Sequence, residues 1–170
     1  MAMTLRFFDH YVQGNDPNDF FKWVVGDEGK KDIVDTQTVY INHSKSGATV
    51  LKALIRLVED AELEKMGYKR VEHMWFPTID FSRLANDTVK QFKGDSRVFK
   101  PIYLSNLSTG KSHAMGVVLD EVAADYMFFD PNEGIARFNG LKYMHEWVTD
   151  VTTKEYGPAW SGYFLDTWKH

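Results

Sequence analysis

Ser112-His113-Ala114-Met115-Gly116-Val117-Val118-Leu119, followed after a polar connection by Phe128-Phe129-Asp130-Pro131-Asn132-Glu133-Gly134, decides how this chain is read. The first stretch reads as a strand, 113–119, that begins on a histidine. The second reads as a strand, 126–130, that ends on an aspartate at a Pro/Asn/Gly turn. With Asp120-Glu121-Val122-Ala123 as the connection, Leu119 faces Ala124 and His113 lies directly opposite Asp130. Directly opposed residues share a face with Cβ atoms about 5 Å apart, within reach of an Nδ1–H to carboxylate hydrogen bond. A register shifted by two keeps both side chains on one face, and a shift of one separates them. Such a carboxylate fixes the imidazole tautomer and stabilises the imidazolium. A structural His–Asp pair at a sheet edge has the same spacing, so spacing alone leaves both readings open.

Working outward, Asn15-Asp16-Pro17-Asn18-Asp19 is a turn in which Asp16 or Asn18 is placed to cap a short helix. Gly26 to Asp32 reads as a polar loop and Thr38-Val39-Tyr40-Ile41 as a short extended stretch. Asn42 to Gly47 reads as a loop. A long helix is expected from Ala48 to Lys65, with Val50, Leu51, Leu54, Ile55, Leu57, Val58 and Ala61 on one buried face and Gly67 as its stop. Ser44 and Ser46 are plausible caps. Gly67 to Trp75 is transitional, and a helix is expected over 81–92 before a turn at 93–96. Residues 98–104 read as a strand in which Pro101 points to an edge or a bulge. Gly134–Phe138 is a further strand, Leu141–Val151 a second amphipathic helix, and Gly162–Leu165 a terminal strand. The order is helices first, then an antiparallel sheet: one α+β domain spanning 1–170.

Composition narrows the function classes. The 170-residue chain has a net charge of −4 with interspersed signs, so no basic stripe points to nucleic acid or an anionic membrane. No apolar run reaches the length of a membrane span, and Met1 to Asp9 lacks the layout of a signal peptide. The chain has no cysteine, which excludes disulfides and thiolate metal sites. His10, His73 and His145 have no metal-ligand spacing, and no cofactor motif is present. Ser44 with His113 and Asp130 lacks the Gly-x-Ser-x-Gly elbow of a serine hydrolase. Asp120, Glu121 and Asp125 read as solvating the hairpin connection. Trp75, Phe76, Trp160 and Trp168 read as core aromatics rather than a substrate cleft.

His113-Ala114-Met115-Gly116-Val117, Phe128-Phe129-Asp130-Pro131-Asn132-Glu133-Gly134 and Arg137-Phe138 together resemble the C-terminal half of the YopT-type (AvrPphB-like) cysteine proteases. The resemblance covers about a fifth of the chain by motif. It implies a papain-like fold, N-terminal helices with a long buried helix packed on a C-terminal antiparallel sheet, with His113 and Asp130 as catalytic histidine and aspartate. It also implies a nucleophile at the N-terminus of the early helix, where the dipole and histidine lower a thiol pKa. Gly47-Ala48-Thr49-Val50-Leu51 fits that pattern with Ala48 in the cysteine's place, and Asn42 stands where an oxyanion-hole amide is expected.

The chain therefore departs from the family at its defining residue. Ala48 replaces a cysteine by engineering, or Ser46 or Ser44 is a substituted or natural nucleophile, or the domain is a natural pseudoenzyme that binds a partner. The implied chemistry is peptidase or glutamine deamidase action on a protein substrate, in a cytosolic protein or an effector delivered into another cell.

Overall fold

A computed structural model describes residues 1–44, 59–91, 97–106, 109, 111–157 and 160–170, with side chains of 39–44 left aside. Ala48, Ser46, the expected helix up to 58 and the turn at 93–96 lie outside the described residues. The contacts divide the chain into two compact units, Met1–Lys69 and Arg70–His170.

The first unit is helical. Helix α1 (Ala2–Val12) buries Leu5, Phe7 and Phe8. Phe20, at the start of α2 (Phe20–Val25), meets Phe7 edge to face with centroids 5.6 Å apart. The turn between them is capped as the sequence predicts: Asp16 Oδ1 accepts the Asn18 N–H at 2.9 Å over the 3-10 turn Pro17–Asp19.

Helix α3 (Asp27–Ser44) corrects three expectations. Residues 27–32 of the expected polar loop, the extended stretch at 38–41 and residues 42–44 of the loop expected from Asn42 are one helix. Asp27 and Glu28 fall in its first turn, where carboxylates complement the helix dipole. Gly29 is not a turn residue; it lies so close to the backbone of Trp23 that a Cβ there would sit 2.1 Å from the Trp23 carbonyl oxygen. The β-branched run Thr38-Val39 is absorbed because strand preference is weak against context, and Thr38 Oγ1 donates to the Val34 carbonyl at 2.7 Å. Residues 59–65 are helical (α4). Arg6 of α1 ties these helices together: its guanidinium pairs with Asp32, donates to Thr36 Oγ1 at 3.2 Å, and reaches Glu62 Oε2 at 2.7 Å.

The second unit holds a sheet of six strands among the described residues: β1 (Lys69–Phe76), β2 (Arg97–Ser105), β3 (Ser112–Asp120), β4 (Asp125–Asp130), β5 (Gly134–Phe138) and β6 (Gly162–Lys169). Their order is β1-β6-β2-β3-β4-β5, and β6–β2, β2–β3, β3–β4 and β4–β5 pair antiparallel. Strand β1 replaces the transitional segment. Its period of two is disguised because Arg70 and Glu72 are half-buried while Val71 is exposed.

Pro101 sits in a central strand rather than at an edge. It faces Gly116 in the β2–β3 ladder, and the β2–β6 ladder runs through Phe99 and resumes at Ile102, so the missing N–H falls in the gap. One sheet face carries Ile102, Leu104, Met115, Val117, Phe128 and Leu165, all buried. Helices α5 (Phe81–Val89) and α6 (Leu141–Tyr156) cover it with Leu84, Ala85, Met144 and Val148. Each of these Leu, Ile, Val, Met and Phe side chains contributes about 1.5–3 kcal/mol on burial.

Helix α5 ends short of the expected 92 and is closed by side chains at both ends. Asp80 accepts the Arg83 N–H at 3.0 Å, and the fully buried Lys100 donates from Nζ to the Asp87 and Lys90 carbonyls at 2.6 Å.

Candidate active site

The β3–β4 connection is Glu121-Val122-Ala123-Ala124, one residue later than expected, and Asp120 pairs with Asp125. Asp120 is therefore no solvated loop residue. It is 2% exposed, accepts the Ala123 N–H at 3.0 Å and pairs with Arg97 at 2.7 Å. In this register Asp130 stands diagonally from His113, not directly across. The two still share a face, because the register moved by two residues rather than one.

The pair closes nonetheless. His113 Nε2 lies 2.9 Å from Asp130 Oδ1. The expected contact through Nδ1 is corrected: the described hydrogen bonds of His113 run through Nε2. Asp130 is 2% exposed and His113 side chain 13% exposed, so the carboxylate is inside and the ring reaches the surface.

The turn after β4 completes the carboxylate's shell. The Asn132 N–H donates to Asp130 Oδ1 at 2.8 Å, an Asx-type bond that the Asp-Pro-Asn sequence is built to make. Gly134 closes the turn at φ +113°, a region open to glycine.

Sequence reasoning missed the third partner, Tyr156. It ends α6, whose buried residues Met144, Val148, Thr152 and Tyr156 recur every fourth position. The apolar pattern stops at Val151, and Thr152-Thr153-Lys154-Glu155 hid the continuation; the hydroxyl of Thr152 is satisfied inside the helix by the Val148 carbonyl. A four-residue step from Val148 was the signal available. The Tyr156 hydroxyl donates to Asp130 Oδ2 and lies 3.0 Å from His113 Nε2. Its ring stacks on the imidazole with centroids 5.1 Å apart, and Trp160 stands at 6.4 Å on the same imidazole.

Burial pushes the Asp130 carboxyl up, but donation from His113, Tyr156 and the Asn132 N–H outweighs it and holds the group below its ordinary 3.8. Burial, then the adjacent Asp130 carboxylate, pushes the Tyr156 phenol well above its usual range. Asp130 is thus an anion and Tyr156 a neutral donor. An ionised carboxylate only accepts, so the ring nitrogen facing it carries the proton. Neutral His113 is the Nε2–H tautomer, with a basic lone pair on Nδ1.

Asn42 and Ser44 lie in α3, and nothing in the described geometry relates them to His113. His145 bonds Asn86 at 3.0 Å on the surface. Trp168 is buried, and Trp75 stacks on Phe164 at 4.1 Å. His73 pairs with Asp166, a second His–Asp contact not read from sequence; Arg70 Nε stands 3.5 Å from the other Asp166 oxygen. Among the described residues no group of three His, Asp or Glu is arranged to hold a metal ion, and no helix is long and apolar enough to cross a membrane.

No family model and no curated protein sequence matches the chain. Among solved structures, the chain is similar to the Pseudomonas avirulence protein AvrPphB. That likeness has a TM-score of 0.72 over 98% of this chain and 89% of that one, at 12% identity. The fold is α+β and similar to that of AvrPphB, a papain-like fold.

Proposed function

We propose that this chain carries the His–Asp half of a papain-like hydrolase site of bacterial effector type, directed at an amide carbonyl of a protein substrate. The supporting observation is the buried Asp130 carboxylate, which holds three donors and engages His113 through Nε2, leaving Nδ1 outside these bonds. The likeness to an avirulence protein supports the effector class and delivery into a target cell.

In this reading position 48 is the nucleophile site and Asn42 the oxyanion donor. With cysteine at 48, His113 Nδ1 takes the thiol proton and the thiolate attacks the amide carbon. The imidazolium then returns that proton to the departing amine or ammonia, and water hydrolyses the thioester. Peptide cleavage and glutamine deamidation share this first step. Asp130 keeps the ring oriented and offsets the imidazolium charge. With Ala48 the chain holds no thiol and is inactive. That absence favours a second reading, a catalytically dead module that binds a protein through the same site.

The experiment compares Ala48→Cys with Ala48→Cys/His113→Ala on a bacterial or host cell extract. New protein N-termini and released ammonia are followed together. Activity in the single variant that vanishes in the double supports the hydrolase. Inert Ala48→Cys that still captures a discrete protein supports the binder.

A further inference from the structure

We propose that Tyr156 is the positioning residue of this site, fixing His113 as the Nε2–H tautomer and closing the Asp130 carboxylate to water. A phenol has one hydrogen. Here it goes to Asp130 Oδ2, so the Tyr156 oxygen meets His113 Nε2 at 3.0 Å as an acceptor. Nε2 then faces two acceptors, Tyr156 oxygen and Asp130 Oδ1 at 2.9 Å, and an Nδ1–H tautomer would put a lone pair against both.

Turning the hydroxyl toward Nε2 would rescue that tautomer only by stripping a donor from a carboxylate that is 2% exposed. The stacked ring, at an interplanar angle of 25°, also blocks rotation of the imidazole. Tyr156 is 6% exposed and ends the buried stripe of α6, so the packing that builds the core also aims the hydroxyl.

The tautomer and its shielding do not depend on a nucleophile; their catalytic meaning rests on the function proposed above. The test is nitrogen-15 and carbon-13 NMR on the chain as it stands and on Tyr156→Phe, which keeps the ring and its stack. In the parent, the neutral His113 ring carries its proton on Nε2, and that proton exchanges slowly with water. In Tyr156→Phe, Nε2–H exchange accelerates about tenfold and the Asp130 carboxyl titrates about one unit higher, the effect of removing one charge-assisted bond.

An Nδ1–H tautomer in the parent overturns the proposal without any variant. So does a folded Tyr156→Phe whose Nε2–H exchange and Asp130 titration match the parent. None of these readouts involves position 48. Inert Ala48→Cys beside a shifted Tyr156→Phe rejects the hydrolase and keeps Tyr156; active Ala48→Cys beside an unshifted Tyr156→Phe does the reverse.

Discussion

Asp130 lies opposite Gly134 in the β4–β5 ladder and one residue past the last β3–β4 pair, Gly116–Phe129, which sets it diagonally from His113, yet its Oδ1 is 2.9 Å from the His113 Nε2. The diagonal makes the pair depend on β4 ending at Asp130. The Asn132 N–H, donating to the same oxygen, fixes where the strand stops.

Replacing Asp130 by Asn tests the carboxylate's contribution to stability. Its folded pKa is depressed, so the stabilisation is present above the ordinary 3.8 and is lost as pH falls through the folded value. Urea unfolding of Asp130→Asn at neutral pH gives a loss of about 1–3 kcal/mol, the penalty for disturbing charge-assisted bonds to a buried group. The gap between parent and variant narrows steadily below pH 4 and is closed in strong acid.

Lys100 gives the opposite kind of titration. Burial lowers its ammonium pKa from 10.5 to about 7, so between those values the unfolded chain holds a proton that the folded chain has released. Stability from this group therefore rises with pH across that window and is lost as pH falls through 7. Lys100→Met removes the slope and leaves the Asp87 and Lys90 carbonyls, at the end of α5, without this donor. Denaturant titrations at pH 6.5, 8 and 9.5 show the parent gaining stability relative to the variant as pH rises.

Arg6→Met tests the helical unit. The substitution removes the group that joins α1 to Asp32, Thr36 and Glu62 while keeping much of the side-chain length. Because Asp32 is 40% exposed, the loss is modest, about 1 kcal/mol. Amide hydrogen exchange reports it as faster opening of Ala2–Val12, with the strands of the sheet unchanged.

What was legible in the sequence follows from how local each signal is. Asp16 and the Asp-Pro-Asn turn act over two residues, and both behave as read. The one-face relation of His113 and Asp130 needs only the parity of the register, and that is right, while the register itself moved because turn length is not encoded in alternation. Helix α3 is hidden in the sequence because Gly29 imitates a loop signal and is in fact demanded by the Trp23 backbone, a tertiary cause. Tyr156 was hidden for a related reason: the buried stripe of α6 crosses Thr152, whose polarity is satisfied by the helix itself.

The most direct test of the hydrolase account is the alkylation rate of Ala48→Cys by iodoacetamide as a function of pH, beside Ala48→Cys/His113→Ala. The parent has no cysteine, so the introduced thiol is the only one observed. The account predicts a reactivity midpoint at least about one unit below the ordinary 8.5, returning to it when His113 is removed. A midpoint at the ordinary value, indifferent to His113, would contradict the placement of position 48 against the His113–Asp130 pair.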